Sequence, residues 1–392
     1  MNRIFYLLTF MFVSAQTFIG QDIIRIDPGR ISSGTLVLSD MIESIEYIQL
    51  ETDDNCLIGD VKLSYILLSK NYILVCCTTT KSYFLFNRMG KFIAKIGNRG
   101  NGPSDYIEAN PPFAIDEENQ QIILAKRKGI EQGELMYYDL DGKYIRSVSV
   151  DGRLTEPRFH TIFDGKHIIM HLNNPWKTGE PPFDYSLFSS DYKLITQKIK
   201  KIDYVSTQLG VGTTIGSYYY YLYNGQMHVK IEVLNDTVYS INKDLDFFPK
   251  YIINSGSYSF TKQIISDAEL FIRESQNRVR LRSVFETNNN VLISYSHRGE
   301  NFYLYHDKRQ RRSLLFHSDF GIPNDYDGGL DFWPEQQNSN EFIAWYNAYL
   351  FKENENKLKP IGNQKVVGNF ENLRKEIDSD ANPVIVVVKM KQ

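Results

Sequence analysis

The 392-residue sequence has little net charge, because 44 Lys and Arg residues face 47 Asp and Glu residues, which leaves −3. Proteins that bind nucleic acids or anionic membranes need a basic surplus, so the sequence predicts neither kind of partner. It also lacks an apolar run of the ~20 residues that a transmembrane helix requires. With 42% hydrophobic and 23% charged residues, its composition is that of a globular protein.

Cysteine is scarce, with Cys56, Cys76 and Cys77 as the only three. An odd number cannot be fully paired within one chain. Cys76 and Cys77 are neighbours on a predicted strand, so their side chains point to opposite faces, and one of them could pair with Cys56. We interpret the three as buried apolar thiols, with a single disulfide as the alternative.

Aromatic residues are abundant, with 26 Tyr and 24 Phe against 8 Met. Aromatic and β-branched side chains fit the half-buried surface of a pleated sheet, so the composition favours a β-rich fold.

The N-terminus has the features of a signal peptide. Arg3 precedes an apolar run over residues 4–15, which is too short to span a bilayer, and Ala15 ends a small-residue cleavage motif. We therefore predict a signal peptide over residues 1–15, with the cleavage site as late as about residue 21, and a single domain over residues 22–392. No Cys follows the apolar run, so the protein is not an apparent lipoprotein; an uncleaved anchor is the alternative to export to the periplasm, cell surface or medium.

An aromatic strand followed by a polar turn and a second apolar strand recurs about every 50 residues, a period typical of propeller blades. The aromatic anchors of this unit are Phe86, Tyr138, Phe188, Tyr239 and Tyr305. A second series of short apolar runs precedes the anchors, at residues 73–75, 122–124, 168–170, 227–229, 291–293 and 342–345. Such runs, bounded by turn residues, are typical of buried strands. The pattern predicts an all-β fold: a six-bladed β-propeller of four-stranded antiparallel blades.

Three further elements complete the expected architecture. Helical spacing predicts a short insertion before the fifth blade, within residues 261–278, with Thr261 or Ser266 as its cap. A second short helix is expected over residues 369–378. The β-branched run at residues 384–388 ends the chain, and a closed ring requires it to pair with an early strand, at residues 23–26 or 45–50.

The glycine-rich segment Gly97–Tyr106 follows an aromatic hairpin and resembles the corresponding segment of NHL-type blades. The chain as a whole resembles a bacterial family of exported six-bladed β-propeller proteins. The matching segments lie at residues 38–40, 45–52, 235–239, 325–334 and 382–384. The resemblance implies this fold and export, and it implies no reaction. Many members of the family resemble lipoproteins, a pattern from which this chain departs.

Motifs for chemistry are missing or weak. The glycines at residues 97–102 precede Pro103 and a predicted strand, whereas a nucleotide fingerprint needs a helix there. His167 and His171 are four residues apart on a predicted strand, about 13 Å along one face, which is too far to share a metal. The sequence has no G-x-S-x-G nucleophile elbow. We therefore predict no cofactor and no catalytic residue.

Asp325 and Asp327, followed by Gly328, resemble the start of a calcium loop, but position twelve is Gln336 instead of Glu. We interpret the segment as a structural turn and keep the two aspartates as a weak calcium candidate. Two arginine-rich stretches, at residues 273–282 and 308–312, are interpreted as solvated surface, with contact to an anion or polysaccharide as the alternative.

Loop residues on a rigid scaffold often form binding surfaces. We expect a ligand at one mouth of the central funnel, and the candidate residues are Arg99, Asp105, Tyr106, Arg158, His160, Trp176 and Trp333. The function expected is that of an exported, non-catalytic module that recognises a glycan, a peptide or an envelope protein. A hydrolase or lyase acting on extracellular polysaccharide, with its site in the funnel, is the main alternative; a structural part of an envelope complex is a third. The oligomeric state is not indicated.

Overall fold

The computed structural model contains 25 strands and four α-helices in the part of the chain that it describes. That part comprises residues 22–32, 36–61, 64–109, 113–129, 132–150, 152–155, 157–163, 165–171, 183–189, 193–199, 219–230, 237–242, 244, 246–261, 263–264, 267–318, 321–354, 360–361 and 364–391. None of the helices within these ranges is long and apolar enough to cross a membrane.

The strands and helices follow one another in a regular order. The strands are β1 (Asp22–Arg25), β2 (Ile42–Gln49), β3 (Ser64–Leu68), β4 (Tyr72–Cys77), β5 (Ser82–Asn87), β6 (Phe92–Lys95), β7 (Phe113–Asp116), β8 (Gln121–Arg127), β9 (Gly133–Asp139), β10 (Tyr144–Val150), β11 (Pro157–Phe163), β12 (Lys166–His171), β13 (Phe183–Phe188), β14 (Leu194–Ile199), β15 (Tyr219–Tyr223), β16 (Gln226–Lys230), β17 (Thr237–Ile241), β18 (Phe247–Asn254), β19 (Arg280–Glu286), β20 (Asn290–His297), β21 (Glu300–Asp307), β22 (Arg312–His317), β23 (Gln336–Asn338), β24 (Glu341–Tyr346) and β25 (Val384–Met390). The helices are α1 (Leu38–Met41), α2 (Ala268–Glu274), α3 (Ala348–Lys352) and α4 (Gln364–Glu376).

Four sheets consist of four consecutive antiparallel strands each: β3–β6, β7–β10, β11–β14 and β19–β22. The remaining strands form a nine-stranded sheet in the order β1-β18-β17-β16-β15-β23-β24-β25-β2. This sheet has two antiparallel portions, which we call the β15–β18 portion and the β23–β2 portion. A single parallel pair, Leu222 with Asn338, joins them. The architecture is that of a β-propeller, and it differs from the expectation of separate sheets because two portions touch at this pair.

The recurring sequence unit corresponds to the strands as expected. The aromatic anchors lie in the third strands, β5, β9, β13, β17 and β21, and the apolar runs lie in the second strands and in β24. These strands are apolar on both faces because sheets pack against each other on both sides. Tyr83, for example, contacts Phe113 of the next sheet edge-on, with ring centroids 5.8 Å apart.

The chain ends meet in the β23–β2 portion. β25 pairs in antiparallel register with β2, with Tyr47 opposite Val386, so the second of the two expected partners is the correct one. β1 pairs instead with β18, in parallel orientation. The N-terminal segment therefore runs along the outer edges of the sheets before it enters β2.

The helices differ in extent from the expectation. α2 covers only residues 268–274, and its N-cap is Asp267, whose side chain accepts a hydrogen bond from the Leu270 N–H. Thr261 instead accepts from the Ile264 N–H, and Ser266 lies outside the described residues. α4 covers residues 364–376, so it begins five residues before the expected start and ends two residues before the expected end.

All three cysteines are free and buried, as expected. Burial raises the pKa of the Cys76 thiol to about 12, so this thiol stays protonated and behaves as a small apolar group.

Two hairpin turns place their glycines against the preceding sheet. Gly142, in the β9–β10 turn, has a positive φ of 80°, and its carbonyl accepts a hydrogen bond from the Gly97 N–H just after β6. Gly90, in the β5–β6 turn, accepts in the same way from the Glu51 N–H just after β2. A Cβ at Gly142 would lie 2.1 Å from the carbonyl oxygen of Lys95, so only glycine fits.

We expect Gly142→Ala to lower the free energy of unfolding by roughly 2–4 kcal/mol, because strain at positive φ adds to a backbone clash. Gly299→Ala is the matched control: Gly299 has a φ of +83° but nothing within 4 Å of its Cβ position, so we expect a loss of about 1 kcal/mol. Urea denaturation measures both. Equal losses in the two variants would show that the close approach of Gly142 to the Lys95 carbonyl does not affect stability.

Candidate functional site

A cavity of about 900 Å³ lies at the centre of the sheets. We call the first strand of each sheet or portion (β3, β7, β11, β15, β19 and β23) its inner strand. The inner strands begin at what we call the upper end and finish at the lower end in tight turns. Residues of β3, β7, β11, β15 and β23, with their lower turns, line this central cavity.

The inner strand β19 does not line the cavity, because β15 and β23 meet in front of it. Leu222 of β15 pairs with Asn338, and its carbonyl accepts the Ser339 N–H at 2.9 Å. The cavity is therefore bounded by five inner strands at its lower end.

Two neighbouring glutamines of β23 connect the inner strands through their side-chain amides. Gln336 accepts the Leu68 N–H at 3.1 Å and donates to the Leu68 carbonyl at 2.9 Å. Gln337 does the same to Glu286 of β19, at 3.0 and 2.6 Å. Each amide thus acts as a short piece of β-ladder toward a different neighbouring strand, which fixes the cavity wall.

Aromatic side chains supply part of the wall. Tyr65 of β3 is 51% exposed, and Tyr220 and Trp345 are partly buried at the same cavity. A Tyr ring offers an apolar face together with a hydroxyl. Together with the amides of Asn71 and Asn338, these side chains can bind a ligand that has both apolar faces and hydroxyl groups.

Carboxylates at the lower end are partly engaged by the protein itself. Asp116 accepts hydrogen bonds from the Asn119 N–H and side-chain amide. Glu117 accepts from the N–H and the side-chain amide of Asn71, which belongs to the preceding sheet. Burial raises the pKa of Glu117, but the hydrogen bonds from Ser69 and Asn71 outweigh burial and hold its pKa below the usual value. Both carboxylates order turns.

Glu335, just before β23, is different. Its side chain reaches the water of the cavity, yet the surrounding protein desolvates it enough to raise its pKa, an effect that Arg282 partly opposes. Glu335 is therefore the lining carboxylate that is easiest to protonate.

Two buried histidines lie at the β11–β12 hairpin. His160 Nε2 is 3.1 Å from His167 Nδ1, and burial together with His167 holds the pKa of His160 well below its usual value. The expected separation of His167 from His171 is consistent with the strand, but sequence spacing missed the cross-strand partner His160. Among the described residues, no group of three or more His, Cys, Asp and Glu side chains could hold a metal ion.

A buried charge cluster lies behind β23. Glu286 is fully buried and accepts hydrogen bonds from Lys250 Nζ at 2.5 Å and from the Tyr251 hydroxyl. Lys308 Nζ lies 3.4 Å from the other carboxylate oxygen and 2.5 Å from the Thr287 carbonyl. The cluster connects the β15–β18 portion to the β19–β22 sheet, and the carboxylate of Glu286 is shared by the two lysines.

His228 lies next to this cluster, 3.8 Å from Glu286, and stacks on Tyr221. Burial, with the positive charge of Lys250, lowers the pKa of His228 to about 4 in spite of the nearby carboxylate. The imidazole is therefore neutral at physiological pH.

The candidate residues of the glycine-rich segment form a self-contained loop. The Arg99 side chain is exposed and donates to the Ile107 carbonyl. Asp105 accepts the Gly102 N–H at 3.0 Å, and a Cβ at Gly100 would lie 2.4 Å from its carboxylate. Tyr106 is fully buried and packs edge-on against Tyr83. The glycines thus make room for Asp105, and Tyr106 offers no surface to a ligand.

The other candidates lie apart from this loop. His160 lines the central cavity. Trp333 is 9% exposed, lies 4.4 Å from Tyr303 and donates to Ser283 Oγ. Arg158 belongs to β11, but its side chain lies outside the described set, and Trp176 lies outside the described residues altogether. The structure therefore places one of the seven candidates, His160, at the central cavity.

The aspartates of the weak calcium candidate bind protein donors. Asp325 accepts from the N–H and the hydroxyl of Ser39, at 2.9 and 2.6 Å. Asp327 accepts from Tyr47 at 2.7 Å, Asn324 at 2.8 Å and the Gly329 N–H at 2.9 Å. These bonds tie the loop before β23 to α1 and β2, as a structural turn does. Four of the five segments that carry the family resemblance therefore lie in or next to the β23–β2 portion, whereas the fifth reaches into β17.

Sequence reasoning missed Tyr65, Tyr220, Glu335 and Gln336 as cavity residues. They come from three inner strands or their flanks, β3, β15 and β23, and no local motif marks them. The available signal is their position just before the second-strand apolar runs, which identifies the inner strands.

A family model described as "Domain of unknown function (DUF4934)" matches residues 22–389. A solved structure of a presumed exported protein from Bacteroides fragilis covers 94% of this chain and 100% of that chain, with a TM-score of 0.69 and 16% identity. A member of the duf4221 family from Bacteroides vulgatus covers 89% and 97%, with a TM-score of 0.46 and 10% identity. No curated protein matches the chain in sequence. The first likeness shows a shared fold.

The His228 environment predicts acid sensitivity. Because the folded pKa lies below the ordinary value of 6.5, the unfolded chain binds the proton more readily, so stability is lost as pH falls from 6.5 toward 4. We expect His228 alone to remove about 2–3 kcal/mol between pH 7.5 and 4.5.

Urea denaturation of the wild type and of His228→Gln at both pH values measures this contribution. The wild type should lose more stability on acidification than the variant, by that same amount. An equal loss in both proteins would show that His228 is not held neutral by its surroundings.

Proposed function

The chain belongs to the DUF4934 family, and we propose that it is an exported six-bladed β-propeller that binds a glycan in its central cavity without catalysing a reaction. The single observation that carries the proposal is the composition of the cavity, about 900 Å³ lined by aromatic, amide and carboxylate side chains. This volume falls in the range of small-ligand sites.

The blade count is supported by the strand order. Four separate sheets and the two portions of the nine-stranded sheet each contribute four antiparallel strands. Closure is supported by the glycine contacts. The hydrogen bond from Glu51 to Gly90 repeats the one from Gly97 to Gly142, so the β23–β2 portion neighbours the β3–β6 sheet as that sheet neighbours β7–β10. The repeated turn also supports NHL-like blades.

Export is supported by the predicted signal peptide over residues 1–15 and by the name of the similar Bacteroides fragilis protein, which describes it as exported. An exported propeller of this kind meets polysaccharides at the cell envelope.

Glycan binding is supported by the pairing of ring faces with amides. A sugar has apolar C–H faces, which pack on aromatic rings such as Tyr65, and hydroxyls, which both donate and accept. Side-chain amides such as Asn71 and Asn338 offer both a donor and an acceptor. A peptide that adds a strand would pair with the free edges of β3, β7 and β11, and on one of these edges the side chain of Gln336 already binds the backbone of Leu68.

A hydrolase or lyase on polysaccharide is the second candidate, favoured by one observation. Glu335 and Glu117 line the same cavity, and their surroundings shift their pKa values in opposite directions, as in a pair of acid and base. It ranks second because the Asn71 N–H and amide both bind Glu117, which leaves it ordering a turn.

A panel of neutral and acidic oligosaccharides tests the proposal by calorimetry on the purified protein. We expect at least one to bind, and Tyr65→Ala to weaken it about tenfold, or ~1.4 kcal/mol. Tyr349→Ala is the control, since Tyr349 is similarly exposed but lies on α3, away from the cavity. Absence of binding across the panel, or equal effects of the two variants, would refute the proposal; cleaved products would favour the enzyme.

A further inference from the structure

Two inner strands carry a β-bulge near the upper end, and an arginine occupies the bulge in both. On β19 the pairing passes from Leu281 to Ser283, so Arg282 has no partner on β20. On β11 the pairing passes from Pro157 to Phe159, so Arg158 has no partner on β12. The inner strands β3, β7, β15 and β23 pair without such a shift. Bulges of this kind redirect a side chain and occur next to functional sites.

Arg282 is joined by Arg280, two residues earlier on the same strand. Alternate residues of a strand lie on one face, about 7 Å apart, although the bulge alters the alternation locally. Arg282 is exposed, and Arg280 is partly buried with its guanidinium over the Phe260 ring at 5.9 Å. Phe260 in turn stacks on Phe271 of α2. The insertion before β19 therefore holds Arg280 in place.

Neither guanidinium forms an ion pair within 4 Å of a carboxylate among the described residues. The neighbouring arginines of the same stretch are different: Arg278 is bonded to Glu274 at 3.0 Å, and Arg273 lies 3.5 Å from it. Burial and the charge of Arg282 both lower the pKa of Arg280, which is the electrostatic signature of two like charges held together. Such a pair costs stability unless an anion compensates it.

The positive charge of Arg282 lowers the pKa of Glu335, which lies just before the inner strand β23, although burial raises that pKa more strongly. The desolvation that raises the pKa of Glu335 weakens it as a permanent counter-ion. The lower end of the cavity carries the acidic turns with Asp116, Glu117 and Glu118. Three acidic residues and Lys70 therefore line the lower end of the cavity, whereas Arg280 and Arg282 lie at the upper end of β19.

We propose that the upper end of β19, at Arg280 and Arg282, binds an oxyanion group of an acidic polysaccharide. A guanidinium has a planar fork of donors that matches the geometry of a carboxylate or a sulfate. This inference rests on the proposed function, because the sugar rings would continue into the central cavity. It adds the charge of the ligand and its direction of entry.

Titrations at physiological salt with polygalacturonate, dextran sulfate and neutral dextran test the inference. We expect the protein to bind at least one acidic polymer at least tenfold more tightly than dextran. Preference for polygalacturonate would identify carboxylates as the recognised group, and preference for dextran sulfate would identify sulfates. Equal binding of dextran would overturn the inference and leave the proposed function standing, whereas no binding of any glycan, in this set or in the oligosaccharide panel, would refute both.

Paired variants separate a site from general electrostatic attraction. Arg282→Gln and Arg280→Gln should each weaken binding of the acidic polymer about tenfold, and Arg282→Lys should give an intermediate loss because it keeps the charge without the fork. Arg309→Gln is the matched control: it makes the same change of charge in the β21–β22 turn at the lower end and should change affinity less than twofold.

Glu335→Gln should act in the opposite direction and tighten binding severalfold, because it removes the carboxylate that competes for Arg282. A merely structural role of Arg282 cannot produce this gain. Unchanged thermal unfolding of the variants would show that the fold is intact. Should a variant unfold, competition between free galacturonate and the acidic polymer for the wild-type protein provides a second readout. Equal losses for Arg309→Gln and Arg282→Gln, or a loss for Glu335→Gln, would overturn the proposal.

Discussion

The contact between a hairpin glycine and the backbone that ends the preceding outer strand determines how successive sheets stand to one another. At Gly142 the carbonyl oxygen of Lys95 occupies the space of a side chain, and the Gly97 N–H donates to the glycine carbonyl. Any larger residue would push the two sheets apart. The inner strands converge only if this outer spacing is maintained, so the position of every cavity residue depends on it.

The inner strands have their own counterpart to this outer contact. Gln336 and Gln337 reach in opposite directions and each form two hydrogen bonds with a neighbouring backbone. A β23 of only three residues could not align by ladder bonds alone, and the amides supply what the short strand lacks. The cost of burying these amides is offset because their donors and acceptors are satisfied.

The fold was predictable because its information is local and repeated. Hydrophobic runs with period-two or continuous apolar patterns identify second and third strands wherever they occur, and the repeat places Phe86, Tyr138 and Phe188 at equivalent positions. The cavity was not predictable because each inner strand contributes only a few residues, and Tyr65 and Glu335 have no common motif.

Of the candidates chosen from loops, Tyr106 and Trp333 are buried. An aromatic residue in a polar segment can pack that segment onto the core as readily as it can bind a ligand. The bulge at Arg282 depends on pairing with β20, which spacing along the chain does not reveal.

The distribution of compensated charge separates structural from candidate functional groups. Lys250 and Lys308 lie between two sheets, and both interact with Glu286, whose side chain is fully buried. A buried ion pair that loses one partner is strongly destabilising, so the fold depends on these contacts. Arg280 and Arg282 lie at the upper end of β19, and within the described part of the chain neither forms an ion pair with a carboxylate. Glu286 thus offsets positive charge at the lower end of β19. At the upper end, the repulsion between Arg280 and Arg282 is not offset by an ion pair among the described residues. An anion that binds between the two arginines would remove this repulsion, and its binding would be favourable for that reason. The ligand is therefore expected at the upper end of β19 and not at the cluster of Lys250, Lys308 and Glu286.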